Sequence, residues 1–230
     1  MIFDPLYLLI VAPGMLLAMW ATWRVKSTFH HASQIMARSG VTGAQAAKQV
    51  LDAENVSGVG IETVPGQLSD HYDPSAKVLR LSEGVYGERS IAALGIAAHE
   101  AGHAIQDARR YTPLVIRNLA VPLASFGSNF AYIAFFIGLF AQITGLIYAG
   151  IALFSAVVFF QVINLPVEFD ASRRARESLQ MTGLLTAEED REVARVLNAA
   201  AMTYVAGTLT SIMTLLYFLY RSGLLGGRSN

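Results

Sequence analysis

The sequence predicts a mainly α-helical integral membrane protein, with four transmembrane helices and a small α+β lobe. Three observations carry that prediction. Hydrophobic residues make up 53% of the 230, against about 45–50% in soluble domains. The 17 basic and 17 acidic residues are unevenly placed, and residues 5–23, 118–167 and 196–220 contain none of them. Between the first two of these blocks lies a charged segment with the glycine and proline punctuation of a folded lobe. A charge-free run of about 18 or more apolar residues reads as a membrane crossing. A soluble globule, a disordered chain and a coiled coil are thereby excluded.

The first span covers roughly residues 6–23, with Pro13 and Gly14 inside it, where lipid-phase helices tolerate them. Asp4 is the first charge, where a signal peptide would carry a basic region. A retained anchor is therefore expected, with Trp20 and Trp23 at an interface. The 50-residue block 118–167 is too long for one crossing at about 1.5 Å per residue. It divides near Gln142–Gly145 into a two-helix hairpin. The last span runs over roughly residues 200–220. The expected division is an N-terminal anchor (1–23), a catalytic lobe (24–117), a transmembrane hairpin (118–164), a helical segment (165–199), and a last span with its tail (200–230).

Within the lobe, Thr42 and Gln45 form a capping box that opens a helix through Asp52. Residues 59–64 and 77–81 read as short strands among turn residues. From Glu88 to Arg109 the pattern is helical and rich in alanine, and it stops before Thr112-Pro113. Pro166, a favourable first-turn residue, is expected to start the next helix, which runs to Gly183. Thr186 with Glu189 then caps the helix leading into the last span. Segment 24–117 holds ten Lys or Arg and segment 168–195 holds five. Basic residues favour the cytoplasmic side, so both segments are expected there and both tails outside.

A net charge of zero gives no support to nucleic-acid binding, which needs a basic face for phosphates. With no cysteine in the chain, thiolate catalysis and cysteine-ligated zinc are excluded. The chemistry is concentrated elsewhere, in His99-Glu100-Ala101-Gly102-His103. Two histidines four apart on a helix project from one face toward one ion, and neutral imidazole is a natural zinc ligand. Glu100 is one step round the helix, out of line to ligate but near enough to act as general base toward a metal-activated water. Chance would place this pattern in about one such chain in 200. Here it falls in a predicted helix, on a face cleared by Ala93, Ala97, Ala101 and Ala104.

Two histidines leave zinc short of protein ligands. Among His30, His31, His71 and the carboxylates, Glu168 is the best placed, because it follows the hairpin. Its plainer role is a first-turn carboxylate favouring the helix dipole, worth about 0.3–1 kcal/mol.

Four blocks together resemble the YugP-like family of bacterial neutral zinc metallopeptidases. They are Ser69-Asp-His-Tyr-Asp-Pro74, Val78-Leu-Arg-Leu-Ser82, Ala97-Ala-His-Glu-Ala-Gly-His-Ala-Ile-Gln106 and Leu165-Pro-Val-Glu-Phe-Asp-Ala-Ser172. The resemblance extends from about Phe3 to Tyr220. The order of His pair, hairpin and glutamate is more distantly similar to the heat-shock membrane protease and the CAAX-prenyl protease, which are gluzincins. It implies a zincin-like lobe, zinc held by His99, His103 and Glu168, and a catalytic Glu100. Taken with the charge-free blocks and the basic-residue counts, the expectation is a multi-pass protein of the bacterial inner membrane, with the lobe facing the cytosol. The expected partners are a membrane-associated protein or peptide substrate and the lipid bilayer. A homo-oligomer or a further membrane partner is compatible with the sequence and specified by nothing in it. One departure stands out: gluzincins often carry an acidic residue four positions after the glutamate ligand, where it orients a histidine. This chain has Ser172 there, and Asp170 only two positions on.

Weaker signals complete the reading. His71 or Tyr72 could donate to a tetrahedral oxyanion, or simply belong to a turn cornered by Asp73-Pro74. His30 and His31 read as interfacial residues. Strand 78–81 could be an edge that accepts an extended peptide, or an internal strand. Arg173, Arg174 and Arg176 read as membrane-flanking positive charge. The rivals to a zinc metalloendopeptidase are a catalytically idle metal-binding adaptor and a metal-dependent hydrolase of a non-peptide substrate.

Overall fold

The computed structural model describes residues 4–225; Phe3, Arg228 and Asn230 lie outside them. In chain order the elements are α1 (Pro5–Ser33), α2 (Gly43–Ala53), β1 (Gly60–Val64), β2 (His71–Asp73), β3 (Val78–Ser82), α3 (Glu83–Tyr86), α4 (Ile91–Ala108), α5 (Thr112–Phe140), α6 (Thr144–Met181) and α7 (Ala187–Arg221). The protein is mostly helical, and four helices, α1, α5, α6 and α7, are long and apolar enough to cross a membrane. They match the spans expected from the charge-free blocks. The chain divides into two compact units.

The first unit takes residues up to Ala21, Ile116–Leu165 and the chain from Thr203 onward. Here α5 and α6 form a tight hairpin. Its turn is Ala141–Ile143, with Gln142 in the left-handed region (φ 57°) and Ile143 N–H donating to Gly138 C=O at 2.8 Å. Small residues let the two backbones approach. A Cβ on Gly150 would lie 2.7 Å from the Phe135 nitrogen and 2.8 Å from the Ala131 oxygen, so the crossing admits glycine only. Phe135 and Phe218 stack at 3.9 Å between ring centroids, with Phe154 and Tyr217 buried beside them. Outside this cluster the unit presents large apolar side chains, among them Leu119, Phe126, Ile133, Phe140 and Phe159. An apolar exterior of this extent suits lipid rather than water.

The second unit takes Thr22–Val115 and Pro166–Met202. Its α2 opens with the expected capping box, Thr42 Oγ1 accepting from Gln45 N–H at 3.3 Å and Gln45 Oε1 from Thr42 N–H at 2.9 Å. The three strands are ordered β1-β3-β2, with β1 parallel and β2 antiparallel to β3. Strand β3 is therefore internal and both of its edges are paired, so it has no free edge for an added peptide. Leu79 and Leu81 of β3 are buried in one core with Val50, Leu51, Leu94, Ile105, Leu179 and Val193. The capping box of Thr186 with Glu189 opens α7 as expected.

One boundary differs from the sequence reading. No helix begins at Pro166: α6 runs unbroken through it from Thr144 to Met181. Proline withdraws a single N–H from the ladder, and helices with apolar surroundings accommodate that loss. Glu168 consequently sits in mid-helix, where a first-turn dipole role has no basis.

Candidate metal centre

The centre is built where α4 meets the second half of α6. Helix α4 starts at Ser90, whose hydroxyl accepts from Ala93 N–H at 3.2 Å. It then runs in small residues that allow close packing. At Gly102 the helices all but touch: a Cβ there would lie 2.6 Å from the Ala171 carbonyl oxygen. The glycine inside the His-Glu pair motif is thus a packing requirement.

That approach brings His99, His103 and Glu168 together, with one potential ligand atom of each within 4.8 Å of the others. Glu168 Oε2 lies 3.3 Å from His99 Nε2 and 3.7 Å from His103 Nε2. The imidazole planes meet at 82°, with centroids 4.8 Å apart. Glu100, His103 and Glu168 are all buried, at 8%, 9% and 6% exposure. Burial disfavours a charged His103 ring, yet the Glu168 and Glu100 carboxylates outweigh it and hold its pKa above the usual imidazole value. Two imidazoles and a carboxylate converge in a largely buried site with a second carboxylate near them. A divalent cation satisfies such a donor set, and these donor types suit zinc.

A further ring of side chains holds these donors. Ser172 Oγ lies 3.2 Å from His99 Nδ1. Gln106, wholly buried, places Oε1 3.0 Å from His103 Nδ1 and donates Nε2–H to Val167 C=O at 2.8 Å and to Asp170 Oδ2 at 3.0 Å. Ser172 thus lies against His99, and Asp170 is linked to His103 through Gln106. Gln106 was absent from the sequence reading as a functional residue. The available signal was its place three residues beyond His103, on the same helical face.

The other sequence candidates lie elsewhere. Tyr72 donates its hydroxyl to Asp107 Oδ2 at 2.6 Å, and burial together with that carboxylate pushes the phenol pKa up. His71 is exposed, with Nδ1 2.8 Å from the Ser69 carbonyl oxygen. Neither joins the three-donor cluster. His31, near the end of α1, lies 4.0 Å from Glu192. Arg173 pairs with Asp170 and Glu177, Arg174 with Asp170, and Arg176 with Asp190. These arginines are thus engaged in ion pairs along α6 and with α7.

Fold and site define a helical protein with membrane-type spans and a largely buried cluster of two histidines and one glutamate. The chain belongs to the family described as "putative neutral zinc metallopeptidase", whose pattern matches residues 7–223. It is similar to the "Putative membrane protease YugP" of Bacillus subtilis (strain 168), at 46% identity over 213 residues, covering 93% of this chain and 94% of that protein. No solved structure matches the chain.

Proposed function

We propose that this protein is a membrane-embedded zinc metalloendopeptidase of the gluzincin type. In this reading His99, His103 and Glu168 hold the metal, and Glu100 is the general base. The observation that carries it is the convergence of those three donors within 4.8 Å of one another, two of them buried and His99 partly so, with Glu100 adjacent to His99 in the sequence. Zinc held there would polarise a peptide carbonyl and bring the pKa of water toward about 7. Glu100 takes the proton of the attacking water on a carboxylate oxygen and returns it to the leaving amine nitrogen. Ser172 and Gln106 keep the two rings turned toward Glu168. The burial of Glu100, His103 and Glu168 keeps bulk water away, which strengthens every charge interaction in the site.

The unit containing α4 is, in this proposal, the zincin-like catalytic lobe. Residues 1–23, 118–164 and 200–230 anchor it in the bacterial inner membrane, and 165–199 brings in the third ligand. The basic residues of 24–117 and 168–195 favour a lobe on the cytosolic side, acting on a protein or peptide at the membrane.

Metal content and cleavage test the reading together. Purified full-length protein is expected to carry about one zinc per chain, as one three-ligand site requires, and to cleave members of a peptide library. The double substitution His99→Ala, His103→Ala is expected to lose both. Stoichiometric zinc in the double variant would place the metal elsewhere and overturn the proposal.

A further inference from the structure

We infer that Gln106 is the positioning residue for His103, with Asp170 as its anchor, and that the two histidines are therefore oriented by unlike devices. This rests on the reading of His99, His103 and Glu168 as the metal site. Donor and acceptor chemistry dictates the Gln106 orientation. Its Nε2 faces the Val167 carbonyl at 2.8 Å and the Asp170 carboxylate at 3.0 Å, two groups that only accept. Turning the amide over would set its oxygen against both. So Oε1 must face His103 Nδ1, 3.0 Å away. An acceptor at that nitrogen requires it to carry the proton, which in the neutral ring leaves the Nε2 lone pair on the side where Glu168 lies. The tautomer that can ligate is thereby selected before any ion arrives.

Asp170 is itself clamped. Arg174 Nε reaches the same Oδ2 at 2.6 Å, and Arg173 bonds the other carboxylate oxygen. The Arg174 guanidinium also lies over the Tyr111 ring, 5.7 Å from its centroid. The carboxylate remains ionised between two guanidinium groups, and Gln106 carries its influence to the imidazole. His99 has no such chain: the Ser172 hydroxyl can donate or accept, so it selects no tautomer.

Zinc affinity, measured by competition with a chromophoric chelator on the full chain, tests this, with the visible spectrum of the cobalt(II)-loaded protein as a second readout. Gln106→Met keeps the volume and removes the amide. It is expected to weaken zinc binding about 10–100-fold and to alter the cobalt spectrum. Asp170→Asn is expected to move both readouts the same way by less. Ser178→Ala removes another hydrogen bond of the same unit, from the buried Ser178 hydroxyl to Glu54 Oε1 at 2.9 Å, and should leave both readouts at wild-type values. An equal loss in Ser178→Ala would show a merely structural effect and overturn the inference. So would wild-type affinity and spectrum in both Gln106→Met and Asp170→Asn. If Gln106→Met does not fold, Asp170→Asn decides alone. His103→Ala separates the two levels: zinc retained there sinks the metal-site reading. Zinc lost there but unaffected by Gln106→Met sinks the positioning role alone.

Discussion

The two units solve the problem of packing helices in opposite ways. In the unit around Phe135 and Phe218, large apolar side chains point outward, and the helices are joined by glycine crossings and stacked rings. In the unit around α4, apolar residues from α2, β3, α4, α6 and α7 turn inward, and a connected polar network lies among them. The lesson concerns solvent. In lipid, the surroundings proposed for the first unit, burying a leucine gains little, so close packing has to do more of the holding. Where water is the surroundings, apolar burial stabilises at about 25 cal/mol per Å², and enough is gained to bury a polar site.

The largest expected effect lies in the polar unit. Glu100→Gln should lower peptide cleavage by at least about 10²–10⁴-fold, the usual worth of a general base, while zinc content stays at the wild-type level. Glu168→Gln, with nearly the same shape, should lose zinc and cleavage together. Normal zinc in Glu168→Gln would remove the third ligand from the scheme.

Next comes a matched pair of core truncations, Leu94→Ala and Phe218→Ala, both at fully buried positions. Leu94→Ala should cost about 2–5 kcal/mol, the transfer term plus the cavity. Phe218→Ala, although larger in volume removed, should cost less in a bilayer, because lipid tails solvate the ring as well as its neighbours do. Unfolding in matched bicelles measures both. A greater cost at Phe218 would argue that this unit is packed as a water-soluble core.

Glycine crossings sharpen the contrast further. Gly102→Ala and Gly150→Ala each force a Cβ against backbone at under 3 Å, for an expected cost of about 1–3 kcal/mol apiece. Only Gly102→Ala should also weaken zinc, since it alone separates α4 from the part of α6 bearing Glu168. Equal zinc affinities in the two variants would break that distinction.

The smallest effect is one of pH. The Asp73 carboxyl is held down to about 2 by the Ala76 N–H, the Arg80 guanidinium and the Ser75 N–H. A depressed folded pKa contributes stability that is complete above the unfolded value near 3.9 and fades as pH falls toward about 2. Asp73→Asn should therefore lower stability at pH 7 and flatten the acid limb between about pH 4 and pH 2, so that the difference from wild type closes as pH falls toward about 2. An unchanged acid limb would show that the Asp73–Arg80 pair is not retained in solution.

Much of this was legible in the residues. The spans were visible as charge-free blocks, and the hairpin turn at Gln142 from its position midway along the longest of them. Both capping boxes, Thr42 with Gln45 and Thr186 with Glu189, were plain, because a cap is a bond between residues three apart. The pairing of His99 with His103 was equally local. Other features were not. Strand β2 has three residues, too few for a period. Pro166 reads as a helix start, since its local preference outweighs any sign of the helix continuing on both sides. The ion pairs of the α6 arginines with Asp170, Glu177 and Asp190 were not read, because these partners could not be assigned to faces.

What the sequence by itself determined was therefore everything set by neighbours within about two helical turns: which segments are apolar enough for lipid, where helices open, and which two histidines share a face. Only the tertiary structure decided that β3 lies between β1 and β2, that α4 and α6 meet at Gly102 and Ala171, and that Gln106 joins His103 to Asp170. The physical reason is separation along the chain. A contact between residues 106 and 170 leaves no periodic trace in either segment. It exists because two helices approach closely enough for an amide to span the gap.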